Sequence, residues 1–164
     1  MDLIGLSKYC GNLNLPGLEK IEYAPVDWVD SFEELISDDH YLKQPITFTT
    51  GSWLTAPVFP IQMEWSENQQ NTQQGTAYEQ QVTATFPRMR PAVSGEFAMM
   101  TDRPFILKLT DPKGEEWIVG TKESGLLFQA PAKTGTAGST NLNDYQIQFF
   151  GMTATRAYGY APVL

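Results

Sequence analysis

The feature that most restricts the fold of this chain is a two-residue alternation of apolar and polar side chains. It is clearest over residues 59–66, FPIQMEWS, where every odd position is apolar and every even position is proline or polar. Successive side chains of a pleated strand point to opposite faces, so this pattern predicts a strand with one buried face. The alternation recurs over 78–86, where Gln80 shares the apolar face, and over 145–149. These segments predict three half-buried β-strands.

The strongest hairpin signal lies over residues 105–120. Two apolar segments, 105–110 and 115–120, flank the tetrapeptide DPKG at 111–114. Proline presets φ and glycine accepts a positive φ, so this tetrapeptide predicts a tight turn between two strands. Further strands are predicted at 126–129, 18–23 and 46–50.

Helical signals are few. Ser31 and Glu34 could form a capping box, which predicts a helix of one or two turns over 31–36. A second short helix is predicted over 94–100, because alanine and methionine favour helix and prolines bracket the segment. Strands at short spacing joined by turns rich in glycine and proline favour an antiparallel β-sandwich or barrel. The expected fold is therefore mostly β, with one or two short helices and an extended N-terminal arm.

The length of 164 residues suits one domain with a real hydrophobic core. Residues 1–18 contain several leucines without helical or strand spacing, so they are predicted to be an N-terminal arm, and 19–164 a single β-rich domain. Two stretches are interpreted as long loops: the Gln/Asn-rich 67–75 and the small-residue-rich 131–143. We expect the arm and both loops to carry subunit contacts; the alternative for the loops is a pair of mobile hairpin tips.

The alternation also predicts which side chains form the core, because each strand has one face to cover. The residues expected to be buried are Ile61, Met63, Trp65, Val82, Phe86, Leu107, Leu109, Trp117, Ile147 and Phe149.

Charge and hydropathy limit the partners. The net charge is −8, and residues 1–43 hold nine acids against three lysines. We interpret this acidic third as a solvated face, with a docking site for a basic partner as the alternative. The basic residues are scattered singly, which argues against direct nucleic-acid binding. No apolar run could span a bilayer and no signal peptide is evident, so we expect a soluble protein without a membrane partner, made in the cytoplasm.

Residues suited to catalysis or metal binding are scarce. His40, the one histidine, lies in the polar bend DDHY and is interpreted as an exposed loop residue; Cys10 is the one cysteine. The pairs Glu33-Glu34 and Glu115-Glu116 are adjacent acids, and neighbours on a strand point to opposite faces. The glycine-rich 135–139 is interpreted as a flexible linker. We therefore predict no catalytic, cofactor-binding or metal-binding residues, and expect His40→Ala and Cys10→Ser to leave function intact.

Tryptophans bear on a carbohydrate-binding alternative, because sugars stack on exposed rings. Trp65 and Trp117 lie on predicted strands, which favours the core for both. Trp28 and Trp53 are less constrained, and an exposed Trp53 would fit a protein interface as well as a glycan site.

The order of the strands and turns resembles a known group of proteins. TFTTGSW at 47–53 precedes the alternating strand at 59–66 and GTAY at 75–78; the hairpin at 105–120 and NDYQIQFFG at 143–151 follow. Over about residues 44–155 this layout is similar to small virion structural proteins, of tail or connector type, from tailed phages and prophages of anaerobic gut bacteria. The resemblance implies a β-sandwich or barrel subunit that assembles into rings or stacks without a cofactor, located in the virion.

Together these observations predict a non-enzymatic structural subunit of a phage or prophage tail-type assembly that acts through self-association. Its expected partners are further copies of itself and other particle proteins. The alternative is a carbohydrate- or surface-binding β-sandwich module with a glycan partner.

Overall fold

A computed structural model of the chain describes residues 16–32, 40–58, 62–135, 137 and 143–162. In this part the fold is mostly β and sandwich-like, which confirms the predicted fold class. The strands are β1 (Lys20–Pro25), β2 (Val29–Ser31), β3 (Tyr41–Leu42), β4 (Thr47–Phe48), β5 (Leu54–Thr55), β6 (Glu64–Thr72), β7 (Gly75–Pro87), β8 (Phe105–Thr110), β9 (Glu116–Val119), β10 (Leu127–Gln129), β11 (Ala132–Lys133), β12 (Asp144–Thr153) and β13 (Tyr158–Tyr160). The helix α1 spans Pro91–Met100, and a 3₁₀ turn spans Val26–Trp28.

The strands form two main sheets. The six-stranded sheet has the order β3-β13-β9-β8-β1-β5, and the five-stranded sheet has the order β10-β12-β7-β6, with β11 also paired to β12. The short strands β2 and β4 pair separately. The pairs are antiparallel except for β13 with β3, which is parallel.

The main core lies between the two sheets. It joins Leu107 and Leu109 of the six-stranded sheet to Val82, Ile147 and Phe149 of the five-stranded sheet. Each of these side chains is at most 3% exposed, as the alternation predicted.

The predicted core residues are confirmed in most cases. Met63 is also buried. Trp65, Phe86 and Trp117 are half-buried and pack against the same core. Ile61 lies outside the described residues.

A second apolar cluster covers the other face of the six-stranded sheet. Ile106 and Ile118 are fully buried there, beneath Val29, Leu42 and Ile46. The central strands of this sheet are therefore apolar on both faces, which explains why FILKL at 105–109 is a nearly continuous apolar run.

The loop predicted at 67–75 is wrong. These residues form most of β6, a two-residue turn at Gln73-Gln74 and the start of β7. The outer half of this hairpin has no buried face, so its strands need no apolar alternation. Backbone pairing with β7 and cross-strand side-chain hydrogen bonds, such as that from Gln70 Nε2 to Glu79 Oε2 at 2.9 Å, give the segment its extended structure.

The loop predicted at 131–143 is shorter than expected. Ala132–Lys133 forms β11, which pairs with the beginning of β12, because this backbone can extend the sheet beside Tyr145. Residues 136 and 138–142 lie outside the described part.

The helix predicted over 94–100 is present and begins three residues earlier, with Pro91 at its first position, where proline costs no hydrogen bond. Ser31, the predicted cap of the other helix, ends β2, and its hydroxyl lies 2.7 Å from that of Thr47. Residues 33–39 lie outside the described part, as do residues 1–15 of the predicted arm. At the end of that arm, Leu18 is buried in the main core.

Candidate functional site

The edges of the two main sheets differ in length. The six-stranded sheet ends in β3 and β5, which have two residues each. The five-stranded sheet ends on one side in β10 and β11, which are three and two residues long with Pro131 between them. Its other edge is β6, which has nine residues. β6 pairs with β7 on one side, and no described strand lies on its other side. A long row of its backbone donors and acceptors therefore faces outward.

Apart from two glutamates, the β6 edge lacks the features that normally protect an exposed strand. Its sequence, EWSENQQNT, contains no lysine and no proline. It pairs with β7 from Glu64↔Thr83 to Thr72↔Gly75 without a register shift, so no bulge interrupts it. Soluble proteins usually blunt long edges with such features, because an unprotected edge pairs with other strands. The β6 edge is therefore the candidate functional site.

The inner half of β6 is fixed to the core by Gln80. The indole nitrogen of Trp65 donates to Gln80 Oε1 at 3.0 Å, and Gln80 Nε2 donates to Glu67 Oε2 at 2.7 Å and to Thr153 Oγ1 at 3.3 Å. Gln80 is 1% exposed. A buried amide needs such partners, which explains why a glutamine occupies the apolar face of its strand.

The charge of Glu67 is engaged within the molecule. The backbone N–H of Ala157 donates to Glu67 Oε2 at 2.8 Å, and Arg156 Nε lies 3.9 Å from Oε1. Arg156 also donates to Gln69 and lies over the ring of Tyr78. Because the Glu67 carboxylate already has partners within the same molecule, it should repel the negative groups of an approaching strand only weakly.

The outer half of the hairpin is a two-stranded ribbon. The last pair between β7 and β12 is Tyr78↔Thr153, so residues 70–72 and 75–77 pair only with each other in the described structure. The Thr72 hydroxyl donates to Gly75 O at 2.7 Å, and Gln74 N donates to Thr72 Oγ1 at 3.3 Å. The turn is thus held by its own side chains, and the ribbon presents uncharged amides.

His40 is half-buried rather than exposed as predicted. Its φ is 62°, its Nε2 donates to Ala157 O at 3.1 Å, and its ring lies 4.9 Å from that of Tyr158. His40 owes this position to packing against the segment just before β13, a long-range contact that the local sequence does not predict. This arrangement gives the imidazole a structural contact between distant parts of the chain.

The other described residues considered for chemistry are not brought together. Glu115 is exposed before β9, whereas Glu116 lies 3.7 Å from Lys108 Nζ. Gly135 N donates to Asn143 Oδ1. Cys10, Glu33 and Glu34 lie outside the described residues, and within the described ranges no three His, Cys, Asp or Glu side chains form a metal-binding group.

The tryptophans are all half-buried. The rings of Trp65 and Trp117 are 5.8 Å apart within the core. Trp53 contacts Phe48 at 5.3 Å and lies below the ammonium of Lys108, so the exposed strand-end position considered for it is wrong. Neighbouring side chains therefore cover part of the Trp53, Trp65 and Trp117 rings.

A buried charge cluster lies on the outer face of the six-stranded sheet. Glu22 is 7% exposed, and its carboxylate lies 2.9 Å from both Lys108 Nζ and Lys20 Nζ. Burial by itself raises the pKa of Glu22, but pairing with Lys108 and Lys20 outweighs it, so the pKa is lowered. The neighbouring strands β1 and β8 bring these charges together, and their role is structural.

Sequence reasoning missed a cleft of about 460 Å³ between β5, α1 and the open side of the sandwich. Phe105, Ile147 and Phe149 lie at its base, and Glu96 and Arg103 lie among its lining residues. Because the lining comes from segments far apart in the chain, no local pattern indicates it.

Comparisons of the chain with protein-family models, with curated proteins and with solved structures find no match. In the described ranges, no helix has the length and apolar character needed to cross a membrane.

Proposed function

We propose that this protein is a non-enzymatic structural subunit of a phage or prophage tail-type assembly, and that it acts through self-association. The observation that carries the proposal is the open β6 edge. A second copy can add a strand to this edge and so continue the five-stranded sheet across the subunit boundary.

Backbone hydrogen bonds along β6 would supply most of the contact. Its nine residues include only two charged side chains, Glu64 and Glu67, and the second is already paired. Neutral amides cost less to desolvate than charges and both donate and accept, so the edge suits pairing with another strand.

The particle context is supported by the order of strands and turns over about residues 44–155, which resembles small tail and connector proteins. A glycan-binding function has less support. The half-buried tryptophans Trp28, Trp53, Trp65 and Trp117 do not form the exposed ring platform that sugar stacking uses.

The test compares two doubly substituted proteins with the parent. Asn68→Lys with Asn71→Lys places two lysines on the exposed edge strand, as natural edges do. The lysine introduced at position 68 would lie opposite Glu79, so the hairpin should still form. The control, Gln81→Lys with Gln146→Lys, adds the same charge at exposed positions of interior strands.

Size-exclusion chromatography with light scattering, at increasing protein concentration, measures assembly. We expect the parent and the control to form a discrete oligomer or stack and the edge variant to remain monomeric, with all three equally folded by circular dichroism. A parent that stays monomeric at every concentration would contradict the proposal, and binding to a glycan array would then favour the carbohydrate-binding module. An edge variant that assembles like the parent would show that β6 is not the contact.

A further inference from the structure

The cleft between β5 and α1 lies next to the aromatic core. At its base, Phe105 and Phe149 are 1% exposed and Ile147 is 3% exposed. At its rim, Leu54 is 38% and Met99 is 68% exposed. Its volume of about 460 Å³ lies within the range of pockets that hold small molecules, and its walls are mainly apolar, as such pockets require.

The two charged residues that line the cleft, Arg103 and Glu96, differ in whether they have an ion-pair partner. Both terminal oxygens of Asp27 accept hydrogen bonds from Arg103 Nη2, at 3.0 and 2.8 Å, so the positive charge is compensated. The Glu96 carboxylate has no cation within salt-bridge distance among the described residues. The cleft therefore has one exposed negative charge, that of Glu96, without an ion-pair partner among the described residues.

The hydroxyl of Tyr23 supports the same conclusion. Tyr23 lines the cleft, and its hydroxyl, which solvent reaches, makes no hydrogen bond to a described residue. Burial raises the pKa of Tyr23, and the charge of Glu96 raises it further. A hydrogen-bond acceptor and a carboxylate thus both line the cleft.

We propose that this cleft binds a small amphipathic cation, a molecule with an apolar ring or chain and one protonated amine. Its apolar part would lie against Leu54, Phe97 and Met99, lining side chains that are at least partly exposed. Its ammonium group would lie near Glu96, donate to the Tyr23 hydroxyl and benefit from the faces of the surrounding rings. The proposal does not depend on the self-association of β6, because the two sites share no residue.

Three probes with the same chain separate the charge from the apolar part: octylamine, octanol and octanoate. Isothermal titration calorimetry at neutral pH measures each dissociation constant, and the fluorescence of Trp28, which lines the cleft, provides a second signal. We expect octylamine to bind more tightly than octanol by roughly fivefold, and octanoate to bind most weakly.

Two variants locate the site. Glu96→Gln keeps the shape of the rim and removes its charge, so octylamine should lose its advantage over octanol. The matched control is Glu123→Gln, an exposed acid outside the cleft, which should change neither. Thr55→Trp fills the entrance from the exposed β5 strand and should weaken all three probes; circular dichroism checks that it folds.

Several results would overturn the proposal. Octanoate binding as tightly as octylamine would show that Arg103 dominates the cleft. Equal binding of octylamine to the parent and Glu96→Gln would remove the role assigned to the carboxylate. If no probe binds and Thr55→Trp changes the oligomeric state, the cleft is a contact between copies of the chain instead.

Discussion

The outer faces of the two main sheets differ in what covers them. On the six-stranded sheet, Ile106 and Ile118 are fully buried under the second apolar cluster, and even the Glu22–Lys108 ion pair is largely shielded from water. On the five-stranded sheet, the outer face carries polar side chains such as Gln81 and Gln146, which are exposed. The six-stranded sheet is thus covered on both faces, whereas the five-stranded sheet has one exposed face and an open edge.

The largest expected difference between the two faces concerns apolar packing. Ile106→Ala removes a side chain buried on the outer face of the six-stranded sheet, and we expect it to lower the free energy of unfolding by about 2–5 kcal/mol. Gln81→Ala, on the corresponding face of the five-stranded sheet, should change it by less than about 0.5 kcal/mol. Urea denaturation measures both; similar values would mean that the two faces are covered alike.

The next effect tests how the open edge is attached to the core. Gln80→Ala leaves the Trp65 N–H and the Glu67 carboxylate without their buried partner, and we expect a loss of about 1–3 kcal/mol. Gln81→Ala, one residue along the same strand, is the control. If both variants unfold at the same urea concentration, the Gln80 network does not hold the base of the hairpin.

A smaller effect on stability depends on pH and concerns Glu22, on the covered outer face of the six-stranded sheet. The pKa of Glu22 is lowered in the folded protein, so its charged form contributes stability that is complete above the ordinary value of 4.5. That contribution is lost as the pH falls through the lower, folded pKa. We expect Glu22→Gln to be less stable than the parent at pH 7 and to lose less stability on acidification.

Thermal unfolding between pH 7 and pH 3 measures this difference. Glu64→Gln makes the same charge change at an exposed position and serves as the control. Parallel stability curves for Glu22→Gln and the parent would show that the Glu22 pair does not contribute to the pH dependence.

The smallest effect is expected in the 3₁₀ turn that follows β1. Asp27 pairs with Arg103, but the two side chains are 66% and 41% exposed. Solvent screens such a pair, so Asp27→Asn should cost less than about 1 kcal/mol and the cost should shrink at high salt. A loss as large as that of Gln80→Ala, measured by urea denaturation, would show that the pair is more strongly coupled to the core than its exposure indicates.

The sequence predicted the elements whose signal is local. The alternation over 78–86 and 145–149 identified β7 and β12 and their buried faces, because a half-buried strand must present apolar residues at every second position. The DPKG turn identified the β8–β9 hairpin for a similar reason: its glycine adopts a φ of 84°, which only glycine accepts without strain.

The sequence indicates only part of the candidate site. The amide-rich composition of 67–75 predicts a loop, since a ribbon with no buried face leaves no periodic signal. The cleft gave no signal, because Tyr23, Glu96 and Phe149 are separated by more than fifty residues of chain at each step.

By itself, therefore, the sequence determined that the chain is mostly β, which faces of β7 and β12 are buried and where the tightest turn lies, because these properties depend on neighbouring residues. The strand predicted over 59–66 is extended only from Glu64 onward in the described residues. Only the tertiary structure decided that the six-stranded sheet is covered on both sides, that Gln80 anchors the hairpin and that β6 is left as an open edge. Each of these depends on which distant segments pair or pack together, and burial of the same side chains can be satisfied by several such arrangements.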